Sequence, residues 1–247
     1  MNRRFAGFPR QMPTFFRELE KNNNREWFAP RKELFEARVR APMIELVTGL
    51  NERMRDISPD HVSDEPAKLL YRIYRDTRFS NDKTPYKTHL GATFHHRTLS
   101  RHGGAGYYFE ISHRCVGVAG GVYMPGPEEL QAIRAAIAAD PKGFLGLVEG
   151  RGTKKLLGPL QGERLTRLPK TWQAHADSPA AEYLKCKQFY WYVELPAAVA
   201  LTPQLPTALL RYFKAMAGGM AWFNRALLAE RAKREEETRP VRPAPMW

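Results

Sequence analysis

The spacing of apolar residues predicts two helical segments in the first third of the chain. Asn22–Asn24 can end one helix and supply the N-cap of the next, and Pro30 suits the first position of a helix. Beyond a break at Pro42 the apolar stripe continues at i, i+3, i+4 and i+7, so we interpret it as core rather than as a binding surface. The apolar positions are Phe15, Phe16 and Leu19 in the first segment and Leu34, Phe35, Val39, Met43, Leu46, Val47, Leu50 and Met54 in the second.

From residue 69 onward the pattern changes to short strands separated by turn residues. Consecutive strands without helices between them indicate an antiparallel sheet. The predicted strands are LLYRIYR (69–75), GATFHHR (91–97), GYYFEIS (106–112), CVGVAGGVY (115–123) and QFYWYVELP (188–196). The last of these is aromatic or β-branched on both faces, which predicts a central place in the sheet.

Helix signals return on either side of that last strand. Pro127 and Pro141 suit first helical positions, whereas residues 150–178 are rich in Gly, Pro and Lys and are predicted as loop. A long helix is predicted from Pro206, with Leu209, Leu210, Phe213, Met216, Met220, Phe223 and Leu227 on its buried face. The fold class is therefore α+β, an antiparallel-dominated sheet packed with N-terminal helices, a mid-chain helix and a long C-terminal helix. We predict one domain over residues 1–230 and a frayed or disordered tail over 231–247, where periodicity is lost.

Composition excludes several classes of protein. Of the 247 residues 43% are hydrophobic, a globular proportion, and no apolar run approaches the roughly 20 residues of a membrane span. The N-terminus lacks the apolar core of a secretory signal, so we predict a cytoplasmic protein without a membrane partner. Cys115 and Cys186 lie far apart without C-x-x-C spacing, which disfavours a disulfide framework or a zinc site. The oligomeric state stays open.

Charge draws attention to one stretch of the chain. The net charge is +13, with a pI near 9.9, which favours a polyanionic or phosphate-bearing partner, although genome bias and solubility explain a basic pI equally well. Residues 68–101 carry eight basic side chains against two acidic ones, a net +6. The charge is therefore concentrated in this region.

Within this stretch, residues 72–89 (RIYRDTRFSNDKTPYKTH) combine cations, carboxylates and aromatic rings. Guanidinium groups bind phosphate or carboxylate in a bidentate manner, and lysine adds a point charge. Asp76 and Asp82 could orient those cations, hold a metal, or act as acid or base. The candidate ligand-binding residues are Arg72, Tyr74, Arg75, Arg78, Lys83, Tyr86, Lys87 and His89. In the alternative interpretation the same charges form a scaffold of ion pairs and the aromatic rings anchor the core.

The same motif resembles that of an uncharacterised family, domain-of-unknown-function family 2461. The resemblance extends to FFRELEKNNNREWF (15–28), to GYYFEIS with CVGVAGGVYMP, and to LTRLPKTWQAHADSPAAEYLKCKQFY (165–190). It implies a single α+β domain, mostly bacterial and cytoplasmic, and it supplies no activity. Around Trp172 and His175 the sequence departs from the family pattern, so we assign no role to His175.

Three functions follow from the motif. The leading hypothesis is a polar pocket lined by residues 72–89 that binds an anionic, phosphate-bearing ligand, with an enzymatic variant in which Asp76 or Asp82 is the general base or a metal ligand. The alternatives are a nucleic-acid-binding accessory protein that uses the same basic patch, and a structural module. A metal site formed by Asp76, Asp82, His89 and Glu110 is conceivable across neighbouring strands. No cofactor is indicated.

Overall fold

A four-stranded antiparallel sheet organises the structure, a computed structural model that describes residues 5–101 and 103–238. The strands follow one another in chain order, and each pairs with the next. They are β1 His89–Phe94, β2 Gly106–Ser112, β3 Cys115–Val122 and β4 Phe189–Pro196. The α+β prediction is confirmed.

Helices cover one face of this sheet and extend beyond it. The α-helices are α1 Gln11–Lys21, α2 Arg25–Phe28, α3 Lys32–Phe35, α4 Ala41–Met54, α5 Pro127–Ala139, α6 Pro141–Val148, α7 Arg151–Leu157, α8 Ala181–Leu184 and α9 Leu205–Glu237. Short 3₁₀ turns span Ala29–Arg31, Pro59–His61, Pro66–Leu69, Lys170–His175 and Ala197–Leu201, and a π-helical turn at Glu36–Arg40 joins α3 to α4. Across residues 5–101 and 103–238 we find no helix with the length and apolarity that a membrane crossing requires.

Alternate residues of each strand point into the helical layer, which we call the inner face. Phe109, Val118 and Trp191 are buried there. The long helix α9 lies against this face so closely that a Cβ at Gly219 would stand 2.6 Å from the Trp191 ring. The predicted apolar face of α9 is confirmed, because each of its seven named residues is buried.

The asparagine run behaves as its composition predicts. Asn22 ends α1, and Asn24 begins α2, where its side chain accepts a hydrogen bond from the Trp27 N–H at 2.8 Å. The apolar stripe of the second segment is buried except for Leu34, which is 39% exposed. Because Leu34 precedes the buried Phe35 by one position, about 100° around the helix, it faces solvent.

Two strand predictions are wrong. Residues 69–75 form no strand, since only Leu70 and Tyr74 make single bridges, to Ala92 and Tyr86 respectively. The strand β4 lies at the edge of the sheet rather than at its centre. Its outward aromatic rings line a cavity instead of packing beneath a second layer, and this is why both of its faces read as apolar.

Two loop predictions also need correction. Residues 151–157 form α7 rather than loop, because Leu157 packs into the core and stabilises a helical turn that composition disfavours. The last helix continues to Glu237, seven residues into the predicted tail, with ion pairs such as Arg231–Glu235 along its surface. The remainder of that predicted tail, residues 239–247, lies outside the described residues.

Candidate functional site

The motif at residues 72–89 folds into an irregular hairpin beside β1. Its two arms are joined by backbone hydrogen bonds, from the Lys87 N–H to the Ile73 carbonyl at 2.8 Å and from the Arg75 N–H to the Pro85 carbonyl at 2.9 Å. Residues 76–84 form the tip, where most of the residues are exposed. The motif therefore has a base that contacts the rest of the protein and a tip that lies in solvent.

At the tip, the two predicted catalytic carboxylates are paired with the motif's own arginines. Asp82 accepts hydrogen bonds from the Thr84 N–H at 2.9 Å and from the Arg75 guanidinium, and the pKa of its carboxyl is lowered to about 2 by Thr84 first and Arg75 next. Asp76 accepts two hydrogen bonds from Arg78, at 3.0 and 2.8 Å, and these lower its pKa to about 2. Both carboxylates are therefore ionised and weakly basic at neutral pH.

At the base, the hairpin is fixed to the N-terminal helices. The Asn23 side chain accepts a hydrogen bond from the Tyr86 N–H at 3.0 Å and donates one to the Tyr86 carbonyl at 2.9 Å. The Tyr86 ring stacks on Phe28 with 4.2 Å between ring centroids. This asparagine reproduces the backbone pairing that a neighbouring strand would give.

A basic cleft opens beside this base, with a volume of about 390 Å³. The motif contributes Tyr74, Arg75 and Tyr86 to its lining, and the N-terminal helices contribute Arg25 and Lys32. Five of the predicted residues lie elsewhere: Arg72, Arg78 and Lys83 are exposed, and Lys87 and His89 approach a different cavity.

That second cavity, of about 480 Å³, lies on the outer face of the sheet, opposite the helices. Tyr71 and Tyr108 form one wall, with 6.1 Å between their ring centroids, and Tyr123 and Tyr190 form the other, at 5.4 Å. The floor consists of small residues on the central strands, Gly106, Ala119 and Gly121. We call this cavity the tyrosine pocket.

Glu110 anchors one end of the tyrosine pocket. The Tyr108 hydroxyl donates to its Oε2 at 2.6 Å, the Tyr192 hydroxyl lies 3.3 Å from its Oε1, and the His89 Nε2 lies 3.4 Å from its Oε2. The Glu110 side chain is only 21% exposed. A carboxylate is thus held in a largely desolvated place by neutral hydrogen-bonding groups.

Glycines make this arrangement possible. A Cβ at Gly91 would stand 2.6 Å from the Tyr108 hydroxyl, and a Cβ at Gly117 would stand 2.6 Å from the Tyr192 hydroxyl. Each tyrosine therefore lies across the strand beside it, over a glycine. Gly91 and Gly117 are the residues on either side of Glu110 in the register of the sheet, so both hydroxyls reach the carboxylate.

Burial determines the protonation of these groups. It raises the pKa of Tyr108 and of Tyr192, and the nearby Glu110 carboxylate raises both further, so both phenols stay protonated and donate. Burial lowers the pKa of His89 despite the attraction of Glu110, which favours a neutral imidazole. Burial also lowers the pKa of the Lys87 ammonium, with repulsion from Arg72 adding to the effect.

Two cations stand at the mouth of the pocket. The Lys87 Nζ and the Arg101 guanidinium carbon each lie 5.0 Å from the centroid of the Tyr71 ring, one cation–π contact apiece. Among residues 5–101 and 103–238 neither side chain forms an ion pair. They differ in this from Arg75 and Arg78, whose charge is matched by a carboxylate of the motif.

The predicted metal constellation does not assemble. Asp76 and Asp82 stay with their arginines at the tip, whereas His89 and Glu110 meet on the outer face of the sheet. In the described part of the chain, no group of three or more His, Cys, Asp or Glu side chains is placed to hold a metal ion. The predicted site fails because Asp76 and Asp82 are held by arginines at the tip, whereas His89 lies beyond the base of the hairpin, on β1.

The sequence signal for the tyrosine pocket lay in strands that were interpreted only as scaffold. In GYYFEIS, Tyr108 and Glu110 alternate with the apolar residues, and in the last strand Tyr190 and Tyr192 do the same. Period-2 alternation places all four on one face. The sequence therefore predicts a polar and aromatic outer face. It does not predict which glycines form the floor, because that depends on how the strands pair.

The comparisons with known proteins yield a family and no activity. The family model for a conserved hypothetical protein (DUF2461) matches residues 11–222. No curated protein and no solved structure matches the chain. The match includes the hairpin motif, the four strands and most of α9.

Proposed function

We infer the function from the site, because the chain belongs to the conserved hypothetical protein family DUF2461, whose description names no activity. We propose that the protein binds an anionic, phosphate-bearing ligand in the tyrosine pocket. Lys87 and Arg101 would hold the anion at the mouth, and the tyrosine walls would enclose the rest of the ligand.

The observation that carries this proposal is the pair of cations that share the Tyr71 ring. An ammonium and a guanidinium contact one ring, and within the described residues neither forms an ion pair, although Glu110 attracts Lys87 at longer range. Burial, and then repulsion from Arg72, lower the pKa of the Lys87 ammonium, and a bound anion would offset both effects. A cavity of about 480 Å³ falls within the usual size range of small-molecule sites.

The test compares two double variants that remove the same charge. Lys87→Ala with Arg101→Ala empties the mouth of the pocket, and Arg78→Ala with Lys83→Ala removes two exposed cations of the tip. With pyrophosphate as the probe, a concentration 100-fold above Kd stabilises the folded state by about 2.7 kcal/mol. For a chain of this size that raises Tm by roughly 5–10 °C.

We expect the rise in Tm for the wild type and the tip variant and its loss in the mouth variant. Equal loss in both variants would indicate attraction by net charge alone and would contradict the proposal. Tight binding of single-stranded RNA or DNA that weakens steeply with salt, while pyrophosphate has no effect, would instead favour the nucleic-acid alternative.

A scaffold role is the second candidate, and the contacts of the hairpin base favour it. Asn23, Tyr86 and Phe28 join the motif to the N-terminal helices, and Arg75 links Asp82 to Thr84 across the tip. The two roles are compatible, because they use different residues of one segment. If scaffolding is the only role, Arg75→Ala lowers Tm and no phosphate compound binds to the wild type.

A further inference from the structure

Glu110 has hydrogen-bonding capacity that its neighbours do not use. The Tyr192 hydroxyl lies 3.3 Å from the Oε1 of Glu110 and 3.3 Å from the Oε1 of Glu194. A hydroxyl has one proton, so it can donate to only one of these two carboxylates at a time. The Glu110 Oε1 is therefore open to a further donor, whereas its Oε2 already accepts the short bond from Tyr108.

Glu110 lines the tyrosine pocket, and some of the donors nearest to it are already in use. Tyr108 donates to Glu110 itself, and the Gln161 amide donates to the Tyr192 carbonyl at 3.0 Å. The Lys87 ammonium contacts the Tyr71 ring, and its attraction to Glu110 acts at longer range than an ion pair. A ligand group with an N–H donor is the complement to a carboxylate in so enclosed a place, since a desolvated acceptor without a partner is unfavourable.

The shape of the pocket restricts the rest of the ligand. One ring of each wall stands on a strand, Tyr108 on β2 and Tyr190 on β4. These two strands are separated by β3 and so lie about 10 Å apart. Between them the floor at Gly106 and Gly121 has no side chains. Aromatic walls above a floor without side chains suit a planar ring that packs against tyrosine.

We propose that the ligand is a nucleotide whose base carries an amino group, with the base between the tyrosine walls, its N–H donated to Glu110 and its phosphate at Lys87 and Arg101. This assignment rests on the proposed function, which places the phosphate at Lys87 and Arg101. It adds that the rest of the ligand is a nucleoside. It makes Glu110 a specificity-determining residue, distinct from the cations that supply attraction.

The experiment is calorimetric titration of the full chain with a graded series of phosphates. The series contains ribose 5-phosphate, which lacks a base, purine riboside 5′-monophosphate, whose base lacks an N–H, and the 5′-monophosphates of adenosine, guanosine and cytidine. We expect the purine riboside compound to bind more tightly than ribose 5-phosphate through stacking. We expect at least one amino-bearing nucleotide to bind roughly 10- to 100-fold more tightly again, the factor for a charge-assisted hydrogen bond.

The variant Glu110→Gln retains an acceptor for Tyr108 but removes the negative charge. It should reduce the preference for the amino-bearing nucleotide over the purine riboside compound at least tenfold. Because both compounds carry the same phosphate, a general change in anion affinity cancels in this ratio. Glu194→Gln is the matched control, since Glu194 also neighbours Tyr192 but does not line the pocket. Its preference should equal that of the wild type.

The outcomes separate this inference from the proposed function. Equal affinity for ribose 5-phosphate and every nucleotide would overturn the nucleotide assignment and leave anion binding in place. A nucleotide preference that Glu110→Gln does not change would overturn the role of Glu110. If no member of the series and no pyrophosphate binds to the wild type, the proposed function itself is wrong.

Discussion

The two faces of the sheet belong to the same strands but differ in the size and polarity of their side chains. On the inner face large apolar side chains fill the space beneath α9, and Trp191 and Phe109 are completely or almost completely buried. On the outer face glycines alternate with tyrosines and a carboxylate, and a cavity of about 480 Å³ remains. The inner face maximises contact, whereas the outer face preserves space and desolvated hydrogen-bonding groups. We therefore expect stability to depend on one face and binding on the other.

The largest expected effect is a difference in stability between substitutions at two adjacent residues of β4, Trp191 and Tyr190. Trp191→Ala leaves a cavity in the inner layer and should lower the free energy of unfolding by about 3–5 kcal/mol. Tyr190→Ala removes a ring that is half-buried on the outer face, so its cost should be clearly smaller. Urea unfolding of both variants makes the comparison. Equal losses would show that the outer face contributes to stability as much as the inner one.

The second prediction concerns acid, and it involves a buried histidine near the inner face. His61 lies beside Tyr107, its Nε2 is 2.9 Å from the Ala105 carbonyl oxygen, and burial lowers its pKa to about 4. Between pH 6.5 and pH 4 the unfolded chain takes up a proton that the folded chain does not. The free energy of unfolding therefore falls as the pH is lowered through this window, by roughly 3 kcal/mol in total.

Urea unfolding at pH 7, 5.5 and 4 measures this loss. His61→Gln should reduce the loss, whereas His175→Gln, in the 3₁₀ turn Lys170–His175, should leave it unchanged. His89, His96 and His113 also have pKa values lowered by burial, so some acid sensitivity should persist in the variant. An unchanged slope in His61→Gln would show that His61 does not cause the loss.

Sequence patterns predict the inner face far better than the outer one. Helical and strand periodicities reveal which residues are buried, and α9 and β2 follow them closely. The hairpin was harder to predict, because residues 69–75 have strand composition but make only isolated backbone pairings with β1 and with an irregular second arm. The second arm in turn pairs with the Asn23 side chain through Tyr86. Hydrophobic periodicity indicates which face of a strand or helix a residue occupies, but it does not indicate which group hydrogen-bonds to its backbone.

The candidate site shows the same limit. The charge of residues 72–89 predicts a site in this segment, and of its predicted ligand-binding residues Lys87 lines the tyrosine pocket. Local pairing at the tip, Arg75 with Asp82 and Arg78 with Asp76, neutralises half of the motif's other cations and leaves Arg72 and Lys83 exposed. Glu110 and Arg101 meet Lys87 only through strand pairing across tens of residues, a relationship that local sequence does not contain.

The smallest expected effect on stability comes from a substitution at Gly117, which tests whether the Tyr192 side chain on the outer face has room to move. In Gly117→Ala the new Cβ would stand 2.6 Å from the Tyr192 hydroxyl, at the free end of a side chain that can rotate away. The free energy of unfolding should therefore change by no more than about 1 kcal/mol, since the alanine also restricts the unfolded chain. The displaced hydroxyl would leave Glu110, and the near-ultraviolet dichroism of the tyrosines should change with it.

Gly49→Ala is the matched control for this substitution. Gly49 lies within α4 with no atom within 4 Å of its added Cβ, so alanine there should stabilise the protein by about 0.5–1 kcal/mol and leave the tyrosine signal unchanged. A Gly117→Ala variant that loses several kcal/mol would mean that Tyr192 has no room to move. The outer face would then be as tightly packed as the inner one, and the contrast between the two faces would not hold.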